Sequence, residues 1–180
     1  VSGCVVAVDM NEAGTVLASQ DSVPFLWKDG VVTPLAGVSS GIPVALNDAE
    51  QVLLTASSVG PALWEAGTLT PLLTPAHVTI EPAAINEGGQ IIGHGAGVTG
   101  GTWLWDDGIA TPLELDAVHA LNDLGEIAGV KDNATGVLSG GTFVPLPFSN
   151  EARVYAMTND GVALDPRRFE AATAIEPRER

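Results

Sequence analysis

The sequence predicts an all-β fold built from repeats, and three observations carry that reading. A turn-forming triplet, apolar-Asn-acidic or a near variant, occurs five times: Met10-Asn11-Glu12, Leu46-Asn47-Asp48, Ile85-Asn86-Glu87, Leu121-Asn122-Asp123 and Thr158-Asn159-Asp160. Its asparagines are spaced by 36, 39, 36 and 37 residues, a period in the range of structural repeats. A second mark falls between them, at Leu26-Trp27-Lys28-Asp29-Gly30, Leu63-Trp64-Glu65-Ala66-Gly67, Leu104-Trp105-Asp106-Asp107-Gly108 and, reduced, Leu138-Ser139-Gly140-Gly141. Each is followed by Thr-Pro-Leu or a relative, the last being Val144-Pro145-Leu146. Finally, the intervening chain is rich in Val, Ile, Leu and Thr and lacks helical periodicity before the tail.

Both marks read as turns. Asn and Asp side chains bond their own backbone two residues on, and Gly14, Gly89, Gly125 and Gly161 suit the positive φ of a hairpin. The segments between turns are about 12–18 residues long, too long for one flat strand at ~3.3 Å per residue. Pro24, Pro43, Pro61, Pro82 and the glycines from Gly93 to Gly101 fall mid-segment, where bends or interruptions are expected. Nine turns then give about ten long bent strands, and the expected architecture is an antiparallel up-and-down meander closed into a β-barrel. The alternative folds each repeat as four short strands, one blade of a five-bladed β-propeller. Residues 1–164 form a single repeat-built domain in either case. Residues 165–180, with four of the seven basic residues, are a separate tail, read as a short capping helix around Phe169–Ile175 or as a frayed terminus.

Composition removes several function classes. A chain of 180 residues with 46% hydrophobic and 16% charged residues is neither disordered nor a coiled coil. Acids outnumber bases 22 to 7, and a net charge of −15 repels nucleic acid and anionic membrane. The single cysteine, Cys4, permits no internal disulfide and no cysteine-based zinc site. No apolar stretch is long enough for a transmembrane helix and no signal peptide is read at Val1, so the expected location is cytoplasmic, with export as the alternative.

Ala84-Ile85-Asn86-Glu87-Gly88-Gly89-Gln90-Ile91-Ile92-Gly93, followed by Thr102-Trp103-Leu104-Trp105-Asp106-Asp107-Gly108, resembles the bacterial extracellular repeats named for a His-Ala-Phe signature. The resemblance spans most of residues 5–164 and brings no catalytic motif. The signature positions themselves read Val23-Pro24-Phe25, Gly60-Pro61-Ala62 and Gly101-Thr102-Trp103, without histidine. In size, acidity and strand count the chain is also similar to the small β-barrel spiroacetal cyclases of polyketide antibiotic pathways. That likeness implies cofactor-independent formation of a spiroacetal from a small, apolar, polyketide-like substrate.

Aligning the repeats on Asn singles out residues that break their columns. Two before Asn the column reads Asp9, Ala45, Ala84, Ala120, Met157; three before it reads Val8, Val44, Ala83, His119, Ala156. Five before it reads Val6, Ile42, Glu81, Ala117, Val154, and six before it includes Asp116. Burying a lone carboxylate costs several kcal/mol unless it is paired, so such residues point to a cavity that uses them. Asp9 and Glu81 are the candidate acid and base, with His119 orienting one of them, for protonating a departing hydroxyl and deprotonating the attacking one. Regular alternation sets Glu81 and His119 on one face and Asp9 on the other. The plain structural readings stand beside these: solvated acids, and a histidine satisfied within the fold. His77, His94 and His119 have no metal spacing, so neither metal nor cofactor is expected. The alternative function is a non-catalytic repeat module that binds a glycan or a protein.

Overall fold

The computed structural model describes residues 4–96, 100–147, 154, 156–160 and 163–164, and no helix occurs among them. Each repeat is a four-stranded antiparallel meander. Repeat 1 comprises β1 (Val5–Met10), β2 (Val16–Gln20), β3 (Val23–Lys28) and β4 (Val31–Pro34). Repeat 2 comprises β5 (Ile42–Leu46), β6 (Val52–Ala56), β7 (Ala62–Glu65) and β8 (Thr68–Pro71). Repeat 3 is β9 (Ile80–Ile85), β10 (Ile91–Gly95), β11 (Thr102–Asp106) and β12 (Ile109–Leu113). Repeat 4 is β13 (Ala117–Leu121), β14 (Ile127–Lys131), β15 (Ala134–Ser139) and β16 (Thr142–Pro145), and β17 (Ala156–Met157) with β18 (Ala163–Leu164) begins a fifth unit. The tail, 165–180, lies outside the described residues.

This corrects the barrel of ten long strands. Among the described residues no strand pairing joins one sheet to the next, and no closed barrel is seen. The long segments are cut by turns that the sequence hides. Asp21 and Ser22 (φ 52° and 64°) and Asp132 and Asn133 (φ 51° and 61°) form two-residue hairpins without glycine. Positive φ at both central residues matches the right-handed twist of the flanking strands, and Asp and Asn tolerate it better than most side chains. In repeats 2 and 3 the corresponding connections are longer, Ser57–Pro61 and residues 96–101.

The core follows the sheets. A single barrel interior would give one cluster; here four clusters lie in the seams between successive repeats. Leu17, Leu26 and Leu35 of the first repeat and its connection pack against Leu46, Val52, Leu54 and Trp64 of the second. Leu53, Leu63 and Leu72 meet Ile80, Ile91 and Trp105. Ile92 meets Val118, Leu121 and Ile127, and Ala120, Ala128 and Leu146 meet Val154. Trp64 and Trp105 thus sit against the preceding repeat, and Trp64 donates its indole N–H to the Ala36 carbonyl across that seam at 2.9 Å. In repeat 4 the pairing of Ile127 with Leu138 puts Leu138 in the place held by Trp105 opposite Ile91.

The first strand of every complete repeat carries a bulge three residues before its asparagine. The pairing of β1 with β2 skips Val8, that of β5 with β6 skips Val44, that of β9 with β10 skips Ala83, and that of β13 with β14 skips His119. Pro43 and Pro82 flank these bulges, where a missing N–H is tolerated in a sheet.

Candidate functional site

The apolar-Asn-acidic triplet does more than turn the chain. Asn11, Asn47, Asn86 and Asn122 are all buried. In each turn the asparagine Oδ1 accepts the backbone N–H four residues on, from Thr15, Gln51, Gln90 and Glu126, at 2.8–2.9 Å. The carbonyl of each accepts the N–H three residues on, from Gly14, Glu50, Gly89 and Gly125. Gly125 has φ +75°, as the turn requires, and Glu50 takes the same conformation at φ 58°.

The remaining polar atoms cross the seams. Asn11 Nδ2 donates to the Asn47 carbonyl, Asn47 Nδ2 to the Asn86 carbonyl, and Asn86 Nδ2 to the Asn122 carbonyl, at 3.0–3.2 Å. One residue on, the N–H of Glu12 donates to the Asp48 carboxylate, that of Asp48 to Glu87 and that of Glu87 to Asp123, at 2.7–2.9 Å. The result is a double hydrogen-bond ladder in which, at the three seams between complete repeats, the earlier repeat donates and the later accepts. At its end Asn122 Nδ2 meets the Thr158 carbonyl and Asp123 N–H meets Asn159 Oδ1. Thr158, not Asn159, therefore occupies the asparagine column of the fifth unit. The alignment on Asn159 is one residue out.

The acids of the ladder lie side by side. Glu87 is held above the usual carboxylate range, first by partial burial and then by the charges of Asp48, Asp123 and Glu12, while its bond from the Asp48 N–H pulls it back. Among the described residues, no three His, Cys, Asp or Glu side chains converge as a metal site needs.

The three candidate catalytic residues fall at different places. Asp9 is half-buried beside the ladder, and its oxygens accept the N–H groups of Met10 and Leu46, both at 2.8 Å. Glu81 is exposed at the start of β9, opposite His94 in the register. It stands three positions farther from its turn than Asp9 does, roughly 10 Å along a strand. His119 is half-buried at the bulge of β13, so the alternation that paired it with Glu81 passes through a break. Asp116 is exposed and accepts the Asp132 N–H at 2.8 Å, holding the β14–β15 turn. His94 Nε2 accepts the Val118 N–H across a seam at 3.4 Å. Two grooves open elsewhere. One, of about 310 Å³, is lined by Thr15, Leu26, Lys28, Val31 and Glu50. The other, of about 420 Å³, is lined by Thr70, Pro71, Thr74, His77, Trp105 and Ile109. Neither contains Asp9, Glu81 or His119.

Sequence reasoning missed the ladder. A signal for it was present in the column four after Asn, where Gln51, Gln90 and Glu126 accept the asparagine amide at 2.7–3.0 Å.

No protein-family model matches this chain, and no curated protein matches it. Among solved structures, its sheets are similar to those of a streptogramin B lyase. That match has a TM-score of 0.50 and 20% identity, and covers 87% of this chain. The chain spans 60% of the length of the lyase. The lyase is a β-propeller-like protein. At this identity the likeness concerns the fold alone.

Proposed function

We propose that this chain is a propeller-type binding module, the alternative reading of its sequence, and that its repeats are blades. The carrying observation is the unbroken ladder: the turns, seams and bulges recur in each complete repeat, and Asp9, the most buried of the candidate acids, spends both oxygens on backbone amides. A spiroacetal cyclase needs an acid and a base around one cavity, and an exposed Glu81 three strand positions out of step with Asp9 does not supply that pair. The activity in the name of the streptogramin B lyase stays with that protein.

The surface we assign to a glycan or protein partner is the groove of about 420 Å³, with Pro71 and Ile109 as its apolar contacts and Thr70, Thr74 and His77 as polar ones. A glycan array followed by calorimetry on the best hit tests it. His77→Ala and Ile109→Ser are expected to weaken binding at least ~10-fold, the loss of one good contact. Turnover of a cyclisable dihydroxy-ketone that falls ~10²-fold in Glu81→Gln would replace the module with the enzyme.

A further inference from the structure

We propose that the outer face of repeat 1 is a docking surface for one more four-stranded repeat of the same kind, seated on repeat 1 as repeat 1 is seated on repeat 2. Three independent features of the established seams are present there without an occupant. The first is apolar. Met10 is 64% exposed, whereas its counterparts Leu46 and Leu121 are 6% and 8% exposed beneath the preceding repeat. Ala7 is likewise exposed where Pro43, Pro82 and Val118 are buried. The second is aromatic. Trp64 and Trp105 are buried against the repeat before them, and Trp27, in the same place, is 41% exposed. The third is polar. Later repeats use the Asn carbonyl and the following carboxylate as acceptors for the previous repeat, and among the described residues no donor from another repeat reaches the Asn11 carbonyl or the Glu12 carboxylate.

These features specify the occupant's chemistry. It brings apolar side chains equivalent to Leu17, Leu26 and Leu35 for Met10 and Trp27, a buried Asn amide for the Asn11 carbonyl, and a backbone N–H for Glu12. A second copy facing β1 across a two-fold axis would bring a like apolar strand but no donors in register, and two chains of net charge −15 repel one another. The ladder's last unit carries Thr158 at the asparagine position, which has no amide to give.

The test inserts a copy of residues 42–80 between Val5 and Val6 of the full chain, in the phase in which that segment leads into repeat 3. Amide exchange is then followed in residues 6–10 and 23–28, which remain unique in sequence. Docking is expected to slow exchange there at least ~10-fold, to shield Trp27 from a soluble quencher, and to keep a single melting transition. Asn47→Ala in the inserted copy should give back part of that protection. A second insertion, residues 81–116 at the same point, is expected to act the same way. Unchanged exchange in both extended chains, whether the insert stays loose or fails to fold, overturns the proposal. So does a parent chain that sediments as a dimer with residues 6–10 already protected, because the face would then belong to a second copy.

Discussion

A buried asparagine amide has two donors and two lone pairs to satisfy, and Asn86 shows how the ladder does it. Its Oδ1 takes the Gln90 N–H, and its Nδ2 reaches both the Asn122 carbonyl and Gln90 Oε1. Asn86→Ala strands two of these partners in a buried seam, and the expected cost is about 2–4 kcal/mol by chemical denaturation, from ~1–3 per unsatisfied buried group. Glu87 carries the opposite sign. Its folded value is raised above the ordinary 4.5, so its contribution is fully present below the unfolded value and is lost as pH rises through the folded one. Glu87→Gln keeps an acceptor for the Asp48 N–H and removes the charge. Its melting temperature is expected to match or exceed that of the parent at pH 7, with a flatter pH profile above 4.5. A steeper profile would mean that another acid of the ladder dominates.

At the level of elements, the turns decide the fold. The asparagine turn of repeat 4 needs positive φ at Gly125, and a Cβ there would lie 3.3 Å from Gln90 Oε1. Gly125→Val is expected to destabilise by roughly 1–3 kcal/mol, and Gly125→Glu by less, because repeat 2 holds Glu50 in the same conformation and β-branching adds the greater strain. Comparing the two denaturation midpoints checks both the turn and its equivalence between repeats. These turns were legible in the sequence because asparagine and glycine advertise them. The hairpins at Asp21-Ser22 and Asp132-Asn133 were not, since neither contains glycine, and each long segment therefore passed for one bent strand. The one-residue slip at the fifth unit was legible after all: Gly14, Gly89 and Gly125 lie three after their asparagines, and Gly161 lies three after Thr158. Asp9 and His119 break their columns in the sequence. For Asp9 a local reason is visible, a clamp on the Leu46 N–H across the seam, whereas the bulge at His119 recurs at Val8, Val44 and Ala83 and does not set it apart. Column comparison alone does not separate such roles from catalysis.

For the molecule as a whole, charge works against compaction. Among the described residues Lys131–Glu114 at 3.1 Å is the one ion pair, set against a net charge of −15. Added salt shortens the reach of that repulsion to ~10 Å at 0.1 M and less above it, so the melting temperature is expected to rise with sodium chloride. A fall would place the balance with specific pairs instead. The seam clusters give the molecule its other property. Each repeat is fastened mainly to its neighbours, by a stripe of leucines and two ladder bonds, so the assembly is held in series like links rather than around a common hub. Pulled from its two ends in an optical trap, such a chain should yield link by link. Each rupture should release about 36 residues, a lengthening on the order of 120 Å less the folded span of one repeat.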